Sequence, residues 1–125
     1  MRAPWFVCWV TLVVLGGSVG HASAANDPRV HVVEIESMKF SPSALQLNVG
    51  DRVHFKNVDL VPHTVTARGK REPAGLDSGV IQPGATWSWT ASKSGSVPYA
   101  CTLHPRMQGE LTVSDAGPNR GAHAP

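Results

Sequence analysis

Residues 97–113 read VPYACTLHPRMQGELTV. Val97, Tyr99 and Cys101 alternate with Pro98 and Ala100, and Leu111 and Val113 alternate with Glu110 and Thr112. A period of two marks a strand with one buried face. Between the two runs Cys101, His104 and Met107 recur at intervals of three. That spacing also lines one side of a helix, but Pro105 and the flanking strand patterns argue against one. The stretch reads as two strands joined by a loop. Cys101 ends the first strand, His104 lies in the connection and Met107 opens the second.

The same alternation continues upstream. Val33 and Ile35 alternate with Glu34 and Glu36; Leu45, Leu47 and Val49 with Gln46 and Asn48. Gly50-Asp51 makes a turn, and Val53 and Phe55 follow in step. After Gln82-Pro83-Gly84, Trp87 and Trp89 share one face. Six or more short strands punctuated by glycine and proline define an all-β, antiparallel sandwich or barrel with a single core. Arg68 to Ser78 shows no strand; its Arg68, Lys70 and Arg71 belong either to a solvated loop or to a docking contact.

The 125 residues do not all belong to this core. Met1-Arg2-Ala3, an apolar run from Trp5 to about Val19, and Ala22-Ser23-Ala24 form the pattern of a cleaved export signal over residues 1–24. The apolar run is short for a membrane span, which needs about 20 residues, although an uncleaved anchor is the alternative. The domain is then expected over 25–114, with a Gly-, Pro- and Ala-rich tail over 115–125. Losing Arg2 takes the formal charge from +2 to +1. Nothing in that balance points to nucleic acid or an anionic membrane surface.

Cys8 departs with the signal, leaving Cys101 as the one cysteine of the mature chain. Exported proteins usually pair their cysteines, so a solitary thiol needs a reason. A buried core thiol and an intermolecular disulfide are the ordinary ones. Its neighbours supply another. His63 follows Pro62, stands in step with Val65, and is separated from Cys101 by 37 residues. Alone it is an unremarkable histidine; beside the later triplet it completes a donor set. His63, Cys101, His104 and Met107 all fall at strand ends with the parity of their strands' apolar faces. Two imidazoles and a thiolate with a weak thioether suit an electron-transfer copper. Metal binding also occupies the thiol. His31 and His54 are read on polar faces, and His123 in the tail.

Further marks are Met38-Lys39-Phe40, Val49-Gly50-Asp51, Val61-Pro62-His63 and Tyr99 two places before Cys101. With the C-x-x-H-x-x-M loop, they make the chain resemble the cupredoxins from about Val32 to Val113. The amicyanin branch is the most similar; plastocyanins and pseudoazurins carry longer gaps between the second histidine and the methionine. The resemblance implies a Greek-key β-sandwich, one type 1 copper ion and soluble periplasmic electron transfer. Two positions depart from the pattern. Thr64 stands where such proteins commonly carry an Asn that braces the cysteine loop, so a looser brace is expected. Arg106 places a charge beside the exposed histidine.

The expected function is a non-enzymatic, monomeric shuttle of single electrons, with His104 as the port and transient redox proteins as partners. A store or delivery vehicle for copper is the alternative. An oxidase or reductase would need a second metal centre with an open position, and the spare histidines are scattered.

Overall fold

The computed structural model describes residues 27–69 and 75–115. The expected signal, Lys70, Arg71 and the tail beyond Asp115 lie outside the described residues. Eight strands follow in chain order: β1 (Val30–Glu36), β2 (Lys39–Ser41), β3 (Ala44–Asn48), β4 (Arg52–Asn57), β5 (Thr66–Ala67), β6 (Thr86–Thr90), β7 (Gly95–Ala100) and β8 (Gln108–Ser114). They form two sheets, ordered β2-β1-β4-β6 and β3-β8-β7-β5.

The all-β sandwich expected from the alternation is present, but not as a purely antiparallel one. β1 and β4 run parallel, as do β3 and β8. The cause is the path of the chain. β3 crosses over to pair with β8, and β4 then returns to lie beside β1. Strands joined through the opposite sheet are free of the alternation that a tight hairpin imposes.

Alternate residues of both sheets fill the interior. Val33, Ile35, Val53, Phe55 and Trp89 come from one sheet, and Leu47, Val97, Tyr99, Leu111 and Val113 from the other. Each fully buried large side chain contributes about 1.5–3 kcal/mol. Leu76 joins this core from the stretch read as a strandless loop. Its carbonyl accepts the Ala67 N–H at 2.8 Å, and Asp77 bridges to Thr66, so that segment is partly tied down. One hydrophobic residue among Gly and Pro carries no period, which is why the sequence did not reveal it.

Tyr99 packs edge-on against Phe40 and Phe55, with ring centroids 4.8 and 5.6 Å away. Gly109 lies opposite it on β8. A Cβ on Gly109 would stand 2.3 Å from the ring, so only glycine allows this approach. Ser37 and Met38 carry positive φ angles of 52° and 62° in the two-residue turn between β1 and β2. Paired positive φ values suit the twist of a tight hairpin but strain a residue with a side chain.

At the end of the sandwich where β1 and β4 begin, Asp51 is buried and ties the chain together. It accepts the Arg29 N–H at 2.9 Å and the Asn48 N–H at 3.0 Å. His31 Nε2 lies 3.0 Å from Asp51 Oδ2, the oxygen that also accepts the Asn48 N–H. His31 therefore differs from its reading as a polar-face residue. It is in step with Val33 and Ile35, and at the strand end that inward face meets Asp51 instead of the core.

Candidate metal centre

At the opposite end, the segment after β4 meets the loop between β7 and β8. The first segment is organised by Asn57, which is fully buried. Its side-chain amide donates to the carbonyls of Val61 and Ile81, both at 2.9 Å. Its side-chain oxygen accepts the Asp59 N–H at 3.0 Å. Reciprocal backbone bonds between His63 and Ile81, at 3.1 and 2.7 Å, then fix His63.

Asp59 sets the orientation of that imidazole. Its Oδ2 is 3.0 Å from His63 Nε2 and accepts the Met38 N–H at 3.0 Å. The Met38 amide first, and the His63 ring next, hold the Asp59 carboxyl below its ordinary range despite some desolvation. A carboxylate can only accept, so Nε2 donates to it, and in the neutral ring Nδ1 is then the nitrogen with a free lone pair. Nδ1 is the atom that faces Cys101 and His104.

The second loop is closed by two backbone bonds. The Cys101 N–H donates to the Met107 carbonyl at 3.1 Å, and the Met107 N–H to the His104 carbonyl at 2.8 Å. Pro105 thus sits in a tight connection between strand ends, as its lack of an N–H allows. Cys101 and Met107 are both buried in the core cluster, while His104 is half-buried.

His63 Nδ1, His104 Nδ1 and Cys101 Sγ form a small triangle. The nitrogens are 3.2 Å apart, and the sulfur is 3.8 Å from His63 and 3.6 Å from His104. Metal–nitrogen bonds of about 2.0 Å and metal–sulfur bonds of about 2.3 Å in a trigonal plane require edges of about 3.5 Å and 3.8 Å. The triangle has the dimensions of a metal site. Its donor types are those of an electron-transfer copper, with the thioether of buried Met107 available as a weak further ligand.

Thr64 does not leave the cysteine loop loose, as its shorter side chain led one to expect. Its oxygen accepts the Thr102 N–H at 2.8 Å, and its own N–H donates to Cys101 Sγ at 3.3 Å. The structure brings His63, Cys101 and His104 together as the sequence implied. Sequence reasoning missed Asn57, Asp59 and Thr102. Asp59, four residues before His63, had a local signal; Thr102 acts through Thr64, distant in sequence, and Asn57 adds a distant bond to Ile81 to its local ones.

Residues 29–114 match the family of copper binding proteins described as the plastocyanin/azurin family. The chain belongs to that family, and its cofactor is one copper ion of the type 1 class. Amicyanin of Paracoccus denitrificans is 34% identical over 83 residues, covering 66% of this chain and 63% of the relative, less than two thirds of its length. Plastocyanin of Sambucus nigra is 33% identical over 89 residues, covering 62% of this chain and 90% of the relative. A reduced amicyanin variant superposes with a TM-score of 0.62 at 32% identity, covering 68% of this chain and 82% of the other.

Proposed function

We propose that this protein is a single-electron carrier, with copper held by His63, Cys101, His104 and Met107. The copper supplies one-electron exchange between Cu(I) and Cu(II). The carrying observation is the donor triangle already assembled by hydrogen bonds from Asp59 and Thr64. Donors held in one arrangement move little when an electron arrives, which keeps the barrier low.

Access is restricted to one side. His63 and Cys101 are fully buried and Met107 nearly so, leaving His104 as the half-exposed member of the four. Leu60, Val61 and Leu103 expose apolar surface on the two loops that carry these residues. That surface suits brief docking of a redox protein at the His104 edge, with an interface below about 1,200 Å². Arg106 is exposed beside it and steers an acidic partner, so electron exchange slows as salt rises. A buried site reached only through the edge of one half-exposed ligand favours a carrier over an enzyme, which needs an open coordination position. The N-terminal signal pattern supports export to the periplasm, and the apolar residues Leu60, Val61 and Leu103 beside His104 suit transient partners.

Addition of Cu(II) to the purified domain tests this reading. An intense blue thiolate charge-transfer band is expected, lost in Cys101→Ser. Reversible bleaching by a mild reductant distinguishes a carrier from a store. A colourless protein, or one whose colour survives Cys101→Ser, refutes the assignment.

A further inference from the structure

Thr64 is bonded to both sides of Cys101. Its backbone N–H reaches Cys101 Sγ at 3.3 Å, and its side-chain oxygen accepts the next amide, Thr102 N–H, at 2.8 Å. The Thr66 hydroxyl donates to the same oxygen at 3.2 Å, and the Thr102 hydroxyl lies 3.0 Å from it. A threonine oxygen offers two lone pairs and one proton. The Thr102 N–H and the Thr66 O–H occupy the two lone pairs. The Thr64 proton then goes to Thr102 Oγ1, which settles the direction of a contact that distance alone leaves open.

The geometry points to Thr66 as a positioning residue for the metal loop, acting through a directional hydroxyl chain Thr66→Thr64→Thr102. The chain runs from β5 to the peptide just beyond Cys101. Thr66 lies opposite Ala100 in a two-residue strand, so the short ladder itself supplies few bonds at this edge. Thr64 is only 5% exposed, and water does not readily replace a lost partner there. A lone Thr64 hydroxyl could turn about its C–O bond. Donation from Thr66 fills one lone pair, polarises the hydroxyl and holds its proton towards Thr102. The second hydroxyl thus supplies what the short side chain of Thr64 lacks. The inference extends the ligand reading of Cys101, but the chain itself is open to test without metal.

Exchange of the Thr102 amide proton in the metal-free protein, followed by ¹H–¹⁵N NMR, reads the chain directly. Thr64→Val is expected to speed that exchange roughly tenfold and Thr66→Val about fivefold, the loss of one to two net hydrogen bonds. Thr64→Ser and Thr66→Ser keep the hydroxyls and restore slow exchange. In a Thr64→Asn background the added Thr66→Val change has no effect, because an amide carries a longer reach and its own donor. Unchanged exchange in Thr66→Val overturns the chain, since Thr64 then acts alone. An effect of Thr66→Val that persists beside Thr64→Asn also overturns it, because Thr66 then acts by packing. Thr66→Ala takes the place of Thr66→Val if the latter fails to fold. In copper-loaded protein, release of the ion accelerates in the same order of variants. Faster amide exchange without faster copper release overturns Thr66 as a positioning residue for the metal loop, whereas a blue band that survives Cys101→Ser refutes Cys101 as a ligand.

Discussion

Replacing Asn57 with alanine tests how the sandwich delivers His63 to the metal site. The substitution removes three hydrogen bonds from a fully buried side chain: to the Val61 and Ile81 carbonyls at 2.9 Å each, and from the Asp59 N–H at 3.0 Å. Each net bond contributes about 1 kcal/mol. The further penalty for stranded partners is small here. The Ile81 carbonyl keeps the His63 N–H at 3.1 Å, and Val61 and Asp59 lie close enough to the surface for their freed carbonyl and N–H to reach water. The expected loss is therefore about 3 kcal/mol, or roughly 12–24 °C in Tm for a domain of this size. Equilibrium urea unfolding of the metal-free domain, followed by tryptophan fluorescence, gives the number. Copper affinity should fall about tenfold as well, because the segment that carries His63 and Asp59 loses its anchor. Asn57→Asp is a sharper probe. At neutral pH it turns a carboxylate oxygen towards two carbonyl oxygens, and burial favours its protonated form. Its folded pKa then lies above its unfolded one. Stability of that variant is retained below the unfolded value and lost as pH rises through the folded value. A loss below about 1 kcal/mol in Asn57→Ala, or an Asn57→Asp variant insensitive to pH, contradicts the role given to this side chain.

Three further perturbations probe other parts of the frame. The Tyr99 hydroxyl has no hydrogen-bond partner among the described residues, and burial pushes its pKa upward. Tyr99→Phe should therefore stabilise the domain by about 1 kcal/mol, whereas Gly109→Ala should cost at least about 3 kcal/mol. The latter follows from the 2.3 Å approach of a new Cβ to the same ring; both values are read from urea midpoints. At the other end, desolvation pushes Asp51 up, but the Asn48 and Arg29 amides and the His31 ring together hold it below its ordinary value. Its contribution is complete above the unfolded carboxylate value and is lost as pH falls through the lower folded one. Asp51→Asn should cost about 2 kcal/mol at pH 7 and converge with the parent in strong acid; parallel curves across that range oppose the assignment.

The core was legible because its signal is local. Val33 with Ile35, Val53 with Phe55, and Leu111 with Val113 each declare a buried face within three residues. The Cys101–His104–Met107 spacing was legible for the same reason, and strand parity placed His63 with it. Strand direction was not, because the parallel pairing of β1 with β4 depends on where β3 goes in between. Nor could sequence reveal that Asn57 bonds to Ile81, or that Thr64 bonds to Thr102. Such contacts follow from the completed sandwich, and an Asn or a Thr is as common in a turn as at a buried junction.

That difference bears on how the site works. The donors themselves are contributed by two separate segments, and no local preference of either can set the triangle's edges of 3.2 to 3.8 Å. Those lengths come from polar groups anchored in the packed frame. Asp59 turns the first ring, and Thr64 holds the sulfur and the peptide beyond it. Asn57 fixes the segment on which His63 is mounted. His104 has no comparable bond from its exposed side among the described contacts; its place is set by the turn that closes on Met107. The bracing is thus concentrated on the buried donors, while the half-exposed ring is held through the backbone. An electron carrier needs this combination, because rigidity inside lowers the cost of changing charge and a reachable edge lets a partner come close.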